Sequence, residues 1–168
     1  MPEQRIYGLE YIKIGDPVDG GMATTLAALG VTYENTAELV QDDDEVTDIF
    51  SEENVDPEES FVVAGAKRMN WSIMNYDPDE MVKILGGTAT GTAPNKTWNS
   101  PTSAVNIEKS IEFKTKTGEI VKIARAKISA KLNWQIRKNG VALIDISAKV
   151  LVPTDGTTAP IQRTKPAS

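Results

Sequence analysis

The chain contains no histidine and no cysteine. Their absence removes disulfides, thiolate nucleophiles, Ser-His-Asp and Cys-His catalysis and the ordinary zinc ligand sets together. Most enzyme chemistry is excluded before any motif is sought, and redox state says nothing about compartment. Long apolar runs are lacking too. Nothing approaches the length of a membrane-crossing helix, and Met1-Pro2-Glu3-Gln4-Arg5 leads into no secretory segment. Cytoplasmic synthesis is therefore the expectation. What is present is 168 residues, 40% of them hydrophobic and 25% charged, a globular balance sufficient for one domain with one core.

The net charge of -6 conceals a segregation: residues 1–60 carry 16 Asp and Glu against 2 Lys and Arg, whereas residues 101–168 carry 5 against 12. Such a chain can pair acid side to basic side with another copy of itself, or fold the two segments together within one subunit.

Hydrophobic periodicity reads mainly as strand. Ile6 to Ile14 alternates approximately, and Met22 to Leu29 reads as packed loop. Val31–Val40 and Val46–Ser51 read as the two sides of a hairpin whose tip is Asp42-Asp43-Asp44-Glu45. Asn54 to Glu59 is polar loop. Ser60 to Tyr76 is β-prone with Phe61, Val63, Met69, Trp71 and Ile73 in one parity, and Gly65 marks a bulge. Asp77-Pro78-Asp79-Glu80 then supplies an N-cap, a first-turn proline and a glutamate three residues after the cap, predicting a helix that Gly86-Gly87 stops. Thr88 to Ser103 reads as a mobile loop holding Trp98.

The last third has the clearest β pattern. Val105, Ile107, Ile111 and Phe113 alternate with polar residues up to a turn at Thr117-Gly118. Glu119 to Ile136 then places Ala124, Ala126, Ile128, Ala130, Leu132, Trp134 and Ile136 on one face, a strand so long that a bend or a projecting end is expected. Val141 to Val152 returns. Matching apolar faces predicts a three-residue loop Lys138-Asn139-Gly140 with Gly140 left-handed, pairing Trp134 with Ile144 and Leu132 with Ile146. Residues 154–168 read as a flexible tail, leaving a single β-domain over 1–153.

Motif by motif, chemistry does not accumulate. Gly86 to Gly91 follows its helix, where a phosphate cradle would precede it. The Asp42 to Glu45 run lacks the alternation, central glycine and distal glutamate of a calcium loop. Arg125, Lys127 and Lys131 could track a nucleic-acid backbone, yet no aromatic shares their face. Trp71 and Trp134 read as core, and Trp98 as an anchor in an interface. The residues call for no cofactor or metal.

The order of these segments resembles the major tail tube protein of long-tailed bacteriophages, within the wider group of contractile-tail and type VI secretion tubes. The likeness runs from about Tyr11 to Val152. It is carried by Ile12-Lys13-Ile14-Gly15, the acidic stretch Asp42 to Asp48, the passage from Trp71 to Gly87 and the closing β-hairpin. It implies a mainly β fold, a β-sandwich or partial barrel with one flanking helix, and no enzyme. Six copies would form a ring, and rings would stack into a tube in the virion tail that carries DNA through an acidic lumen without binding it. Tape measure, tail terminator and distal tail proteins would be the partners besides self. A long segment, here about residues 40–60, would reach the neighbouring ring. Its acidic candidates are Asp42, Asp43, Asp44, Glu45, Asp48, Glu52, Glu53, Glu58 and Glu59, and the basic groups expected to meet them are Lys122, Arg125, Lys127, Lys131, Arg137 and Lys138. The competing expectation is a monomeric β-sandwich that binds carbohydrate or protein, or decorates a virion.

Overall fold

The structure is a computed structural model that describes residues 5–166. Its elements run β1 (Leu9–Gly15), β2 (Ala27–Ala28), β3 (Val31–Thr32), β4 (Glu38–Gln41), β5 (Glu45–Ile49), β6 (Glu59–Val63), β7 (Lys67–Met74), α1 (Pro78–Leu85), β8 (Thr88–Thr90), β9 (Thr97–Asn99), β10 (Ile107–Thr115), β11 (Ile120–Trp134), β12 (Ala142–Val150) and β13 (Ile161–Thr164). Strand makes up 48% of the described residues and helix 5%, so the fold is mainly β, one sheet curled as a half-barrel with a single helix among the described residues. Nine strands form that sheet in the order β2-β1-β10-β11-β12-β7-β3, with β13 beside β11 and β4 beside β7.

Alternation builds the core. Ile12 and Ile14 of β1, Ile111 of β10, Ile123, Ala126 and Ile128 of β11, Ile144, Ile146 and Ala148 of β12, and Met69, Trp71 and Ile73 of β7 share one cluster with Met81 and Ile84 of α1. Trp71 fills its place with Nε1 buried and without an acceptor, so volume has prevailed over hydrogen bonding there.

The helix begins as its sequence dictates. Asp77 accepts from the Glu80 backbone N–H at 2.9 Å, and Glu80 Oε2 accepts from the Asp77 N–H at 3.0 Å, closing a capping box. Glu80 Oε1 also accepts from the Gly30 N–H at 2.8 Å, so one side chain fixes both the helix start and the loop before β3.

Tertiary pairing overrides several expectations. Val31–Val40 and Val46–Ser51 do not pair with each other. β3 and β4 both lie against β7, while β5 pairs with β6 in a separate two-stranded hairpin. The predicted single stretch from Ser60 to Tyr76 is thus two strands. They part around Gly65, where the chain passes so close to the Asp42 carbonyl oxygen that a Cβ would lie 1.9 Å from it. Thr88 to Ser103 is not one loop: β8 and β9 pair, and the Trp98 indole donates to the Gly86 carbonyl at 2.9 Å.

The closing hairpin keeps the predicted parity but shifts by two residues. Trp134 faces Ala142, Leu132 faces Ile144 and Ala130 faces Ile146. The connection runs from Gln135 to Val141, closed by the Gly140 N–H donating to the Arg137 carbonyl at 2.9 Å. Gly140 is not left-handed. It is small because a Cβ would lie 2.3 Å from the Gln135 carbonyl oxygen.

The C-terminal segment is also corrected, since β13 pairs with β11 from Ile120↔Thr164 to Ile123↔Ile161. Arg163 grips Glu119 through two hydrogen bonds of 2.6 and 2.8 Å, and the Glu119 side chain is only 1% exposed. Such a fork is among the stronger polar contacts available to a short strand. Ala167 and Ser168 lie outside the described residues, as do the first four positions.

Candidate functional site

Two protrusions stand out because the sheet leaves them uncovered. The first is the β5–β6 hairpin, with the approaches to it at Asp42 and Gly65. Every residue of β5 and β6 is exposed on both faces. Between Asp42 and Ala66 there are ten Asp and Glu and no Lys or Arg. Phe50, Val55, Phe61, Val62 and Val63 stand in the solvent among these carboxylates, Val55 at 94% exposure. A two-stranded hairpin without a covered face is marginal in water, so this arm has the physical character of half an interface.

The arm is nevertheless ordered at both ends. At its base Asp42 pairs with Arg68 at 3.2 Å and Asp44 accepts from the Gly65 N–H at 3.0 Å. Asp42 to Asp44 therefore form the root of the arm and not its tip, which is the correction to the expected hairpin. At the outer turn Glu58 accepts from Ser51 at 2.9 Å and from Asn54 at 2.7 Å, and these two hydrogen bonds, Asn54's first, hold its carboxyl below the usual range. Asp48 accepts from Ser60 across the strands at 2.6 Å. Glu45, Glu52, Glu53 and Glu59 are exposed side chains with no base near them in sequence.

The second protrusion is the end of the β11–β12 hairpin. β10 begins at Ile107, opposite Ile128, so β11 runs on past its neighbour from Ser129 to Trp134. Parity still turns Leu132 and Trp134 toward the core side, but the core has ended. Trp134 is 46% and Ile136 88% exposed, correcting the expectation that Trp134 packs inside. Tyr76 lies against this end, its hydroxyl reaching the Ala142 carbonyl at 3.4 Å. No Asp or Glu occurs between Glu119 and Asp145.

The predicted basic residues separate into two groups. Lys122 pairs with Glu112 at 3.7 Å, and Arg125 forms a two-pronged contact with Glu108 at 2.7 and 2.8 Å. That contact lowers the Glu108 carboxyl and raises the Arg125 guanidinium, in each case chiefly through the hydrogen bonds between them. These two cations are neutralised inside the subunit. Lys131 is exposed directly across from Asp145 on β12, whereas Arg137 and Lys138 lie on the exposed hairpin turn, where Arg137 holds Gln135 at 2.7 Å. Lys127 sits on the polar face of the sheet, in register with Lys149 and, across β12, with Arg68. The sequence could not show that row, because its members come from three separate strands.

Trp98 is not a free anchor. It is packed against the core cluster and hydrogen-bonded to the end of α1. On the polar face a shallow groove of about 350 Å³ is lined by Thr36, Asn70, Ser72, Ser129, Lys131, Asp145 and Ser147. Asp145 is already engaged there by Ser72 at 2.6 Å and Asn133 at 2.9 Å. No helix among the described residues is long and apolar enough to cross a membrane. No protein-family model matches the chain, and no curated protein matches it.

Proposed function

We propose that this chain is a structural subunit that associates with copies of itself into stacked rings, forming a tube of the kind found in long-tailed bacteriophage tails. The observation that carries the reading is the arm: a hairpin exposed on both faces, acidic throughout and rich in uncovered apolar side chains, whose cohesion calls for a partner. The open edge of β11 beyond Ile128 supports the same reading, since unpaired strand edges are satisfied when neighbouring subunits extend one sheet into a closed wall. On this reading the protein is made in the host cytoplasm, resides in the virion tail and meets tape measure, terminator and distal tail proteins at the tube's ends. It needs no catalytic site and no cofactor.

DNA would pass through the lumen without being held. A polyanion slides freely only past a wall that does not attract it, so the row of Arg68, Lys149 and Lys127 must face away from the channel. The polar groove offers less to the competing reading of a carbohydrate-binding module, because Trp71 at its floor belongs to the buried core face and gives no stacking platform.

Negative-stain microscopy of the purified protein at high concentration, with sizing at low concentration, tests the proposal. Rings or hollow tubes that form as concentration rises are the expected result. A monomer at every concentration would remove it.

A further inference from the structure

We propose that Asn139 is a site of self-modification, where the side-chain amide is lost through a succinimide formed with the Gly140 nitrogen, leaving aspartate or isoaspartate in the β11–β12 turn. The step needs only the folded subunit and stands apart from any reading of assembly.

Two demands meet in this turn. Gly140 is required by space, since a Cβ would lie 2.3 Å from the Gln135 carbonyl oxygen and 2.8 Å from Arg137 Cγ. Asn139 precedes it, exposed, with no hydrogen bond to its carboxamide among the described residues. It is the only asparagine of the chain that is followed by glycine. Every other asparagine precedes a residue whose side chain crowds the nitrogen that would attack. Several are also held: Asn54 donates to Glu58 at 2.7 Å, Asn70 to Glu38 at 3.2 Å, and Asn133 to Asp145 at 2.9 Å. The nearest rival is Asn99, before the small Ser100, and its amide reaches Thr90 at 3.4 Å within the β8–β9 pair.

The chemistry uses water alone. Hydroxide takes the Gly140 amide proton, the nitrogen bonds to Asn139 Cγ, and the Cγ–Nδ2 bond breaks as ammonia leaves with a proton returned from water. Water then opens the ring at either carbonyl. One opening gives aspartate, and the other gives isoaspartate, whose main chain is longer by a methylene. The surroundings favour the first step. Arg137 and Lys138 occupy the two preceding positions, and no Asp or Glu occurs between Glu119 and Asp145. Positive charge stabilises a deprotonated nitrogen and draws hydroxide toward it.

One contact opposes the step. The Gly140 N–H donates to the Arg137 carbonyl at 2.9 Å, so the turn must open before the nitrogen can attack. Here β11 has run past β10, and residues 131–139 are all exposed. Segments of that kind open locally at a small fraction of the cost of global unfolding. The product places a carboxylate beside Arg137 and Lys138, and isoaspartate also moves the Gly140 N–H away from its acceptor. The basic turn thus carries a clock that lowers its charge as the protein ages.

The protein itself, kept dilute in mildly alkaline water enriched in heavy oxygen, provides the test. Peptide mass mapping should find one heavy-oxygen carboxylate gained at Asn139 several-fold faster than at Asn99 or any other asparagine. An isoaspartyl methyltransferase should label the product, and Asn139→Ser should remove that label. Conversion should slow several-fold in mildly acidic buffer, and again in Arg137→Gln with Lys138→Gln. An amide retained at Asn139, or lost there no faster than at Asn99, overturns the proposal. A rate unmoved by pH overturns the succinimide route, and one unmoved by the paired substitution overturns the part given to the cations. Because the readout is a mass change in the dilute protein, tubes or their absence leave the result unaffected.

Discussion

At the scale of single residues, one glycine and one ion pair explain much of how the surface is shaped. Gly65 is present for proximity, since a Cβ would meet the Asp42 carbonyl oxygen at 1.9 Å and the Asp43 carbonyl oxygen at 2.7 Å. Gly65→Ala should therefore cost about 1 to 3 kcal/mol, the range for forcing atoms into a filled space. Urea unfolding would measure it, and a neutral result would mean that the root of the arm is loose. Glu119 offers a second, pH-dependent test. Hydrogen bonds from Arg163 hold its carboxyl below the ordinary range, with Coulombic attraction from Arg163 and Lys165 acting the same way. A carboxyl lowered by folding contributes its full stability above its unfolded value, near 4.3, and loses it as pH falls through the lower folded value. Amide protection in β13 should hold from neutral pH down to about 4.3 and fall below it. In Arg163→Gln the fall should disappear; if it persists, another group is responsible.

At the scale of elements, α1 and the arm are opposites. The helix is specified locally: cap, first-turn proline, reciprocal glutamate and glycine stop all agree. Asp77→Ala should cost about 0.5 to 2 kcal/mol, the usual loss for an N-cap, measurable by chemical denaturation. The arm is the element that the subunit itself does not use. None of its residues belongs to the core cluster, and Glu45 sits directly across from Val63. Joining Asp44 to Ala64 through a short turn should thus leave the thermal midpoint within a few degrees of the full chain while abolishing assembly. A large fall in the midpoint would mean that the arm supports the fold, contrary to its exposure.

At the scale of the whole molecule, the segregation of charge is partly resolved within the subunit and partly not. Lys122, Arg125 and Arg163 find carboxylates on their own chain. Asp42 at the root of the arm likewise finds Arg68, and Lys131 stands across from Asp145, but the other carboxylates of the arm and the Arg137 and Lys138 cations are exposed at opposite ends of the sheet. Association driven by that opposition must weaken as salt shortens the range of charge from about 10 Å at 0.1 M to about 3 Å at 1 M. The concentration at which assemblies first appear, followed by light scattering, should rise steadily across that interval. An unchanged threshold would leave only the apolar contact to explain association.

The sequence alone determined the local outcomes: the mainly β character, the helix with its caps, the turn at Thr117-Gly118 and the apolar parity of β7, β10, β11 and β12. Each depends on neighbours in the chain, whose spacing the sequence states directly. It also made the acidic and basic stretches visible, together with most residues of both exposed surfaces. Only the tertiary structure decided which strands pair. Val31–Val40 folds onto β7 and leaves β5 to β6, the closing hairpin slips by two residues while keeping its parity, and the chain end returns as β13. Parity cannot distinguish registers that differ by two, because both keep every side chain on its face. Whether Trp134 is core or surface was settled by where β10 begins, a long-range fact that no local pattern carries.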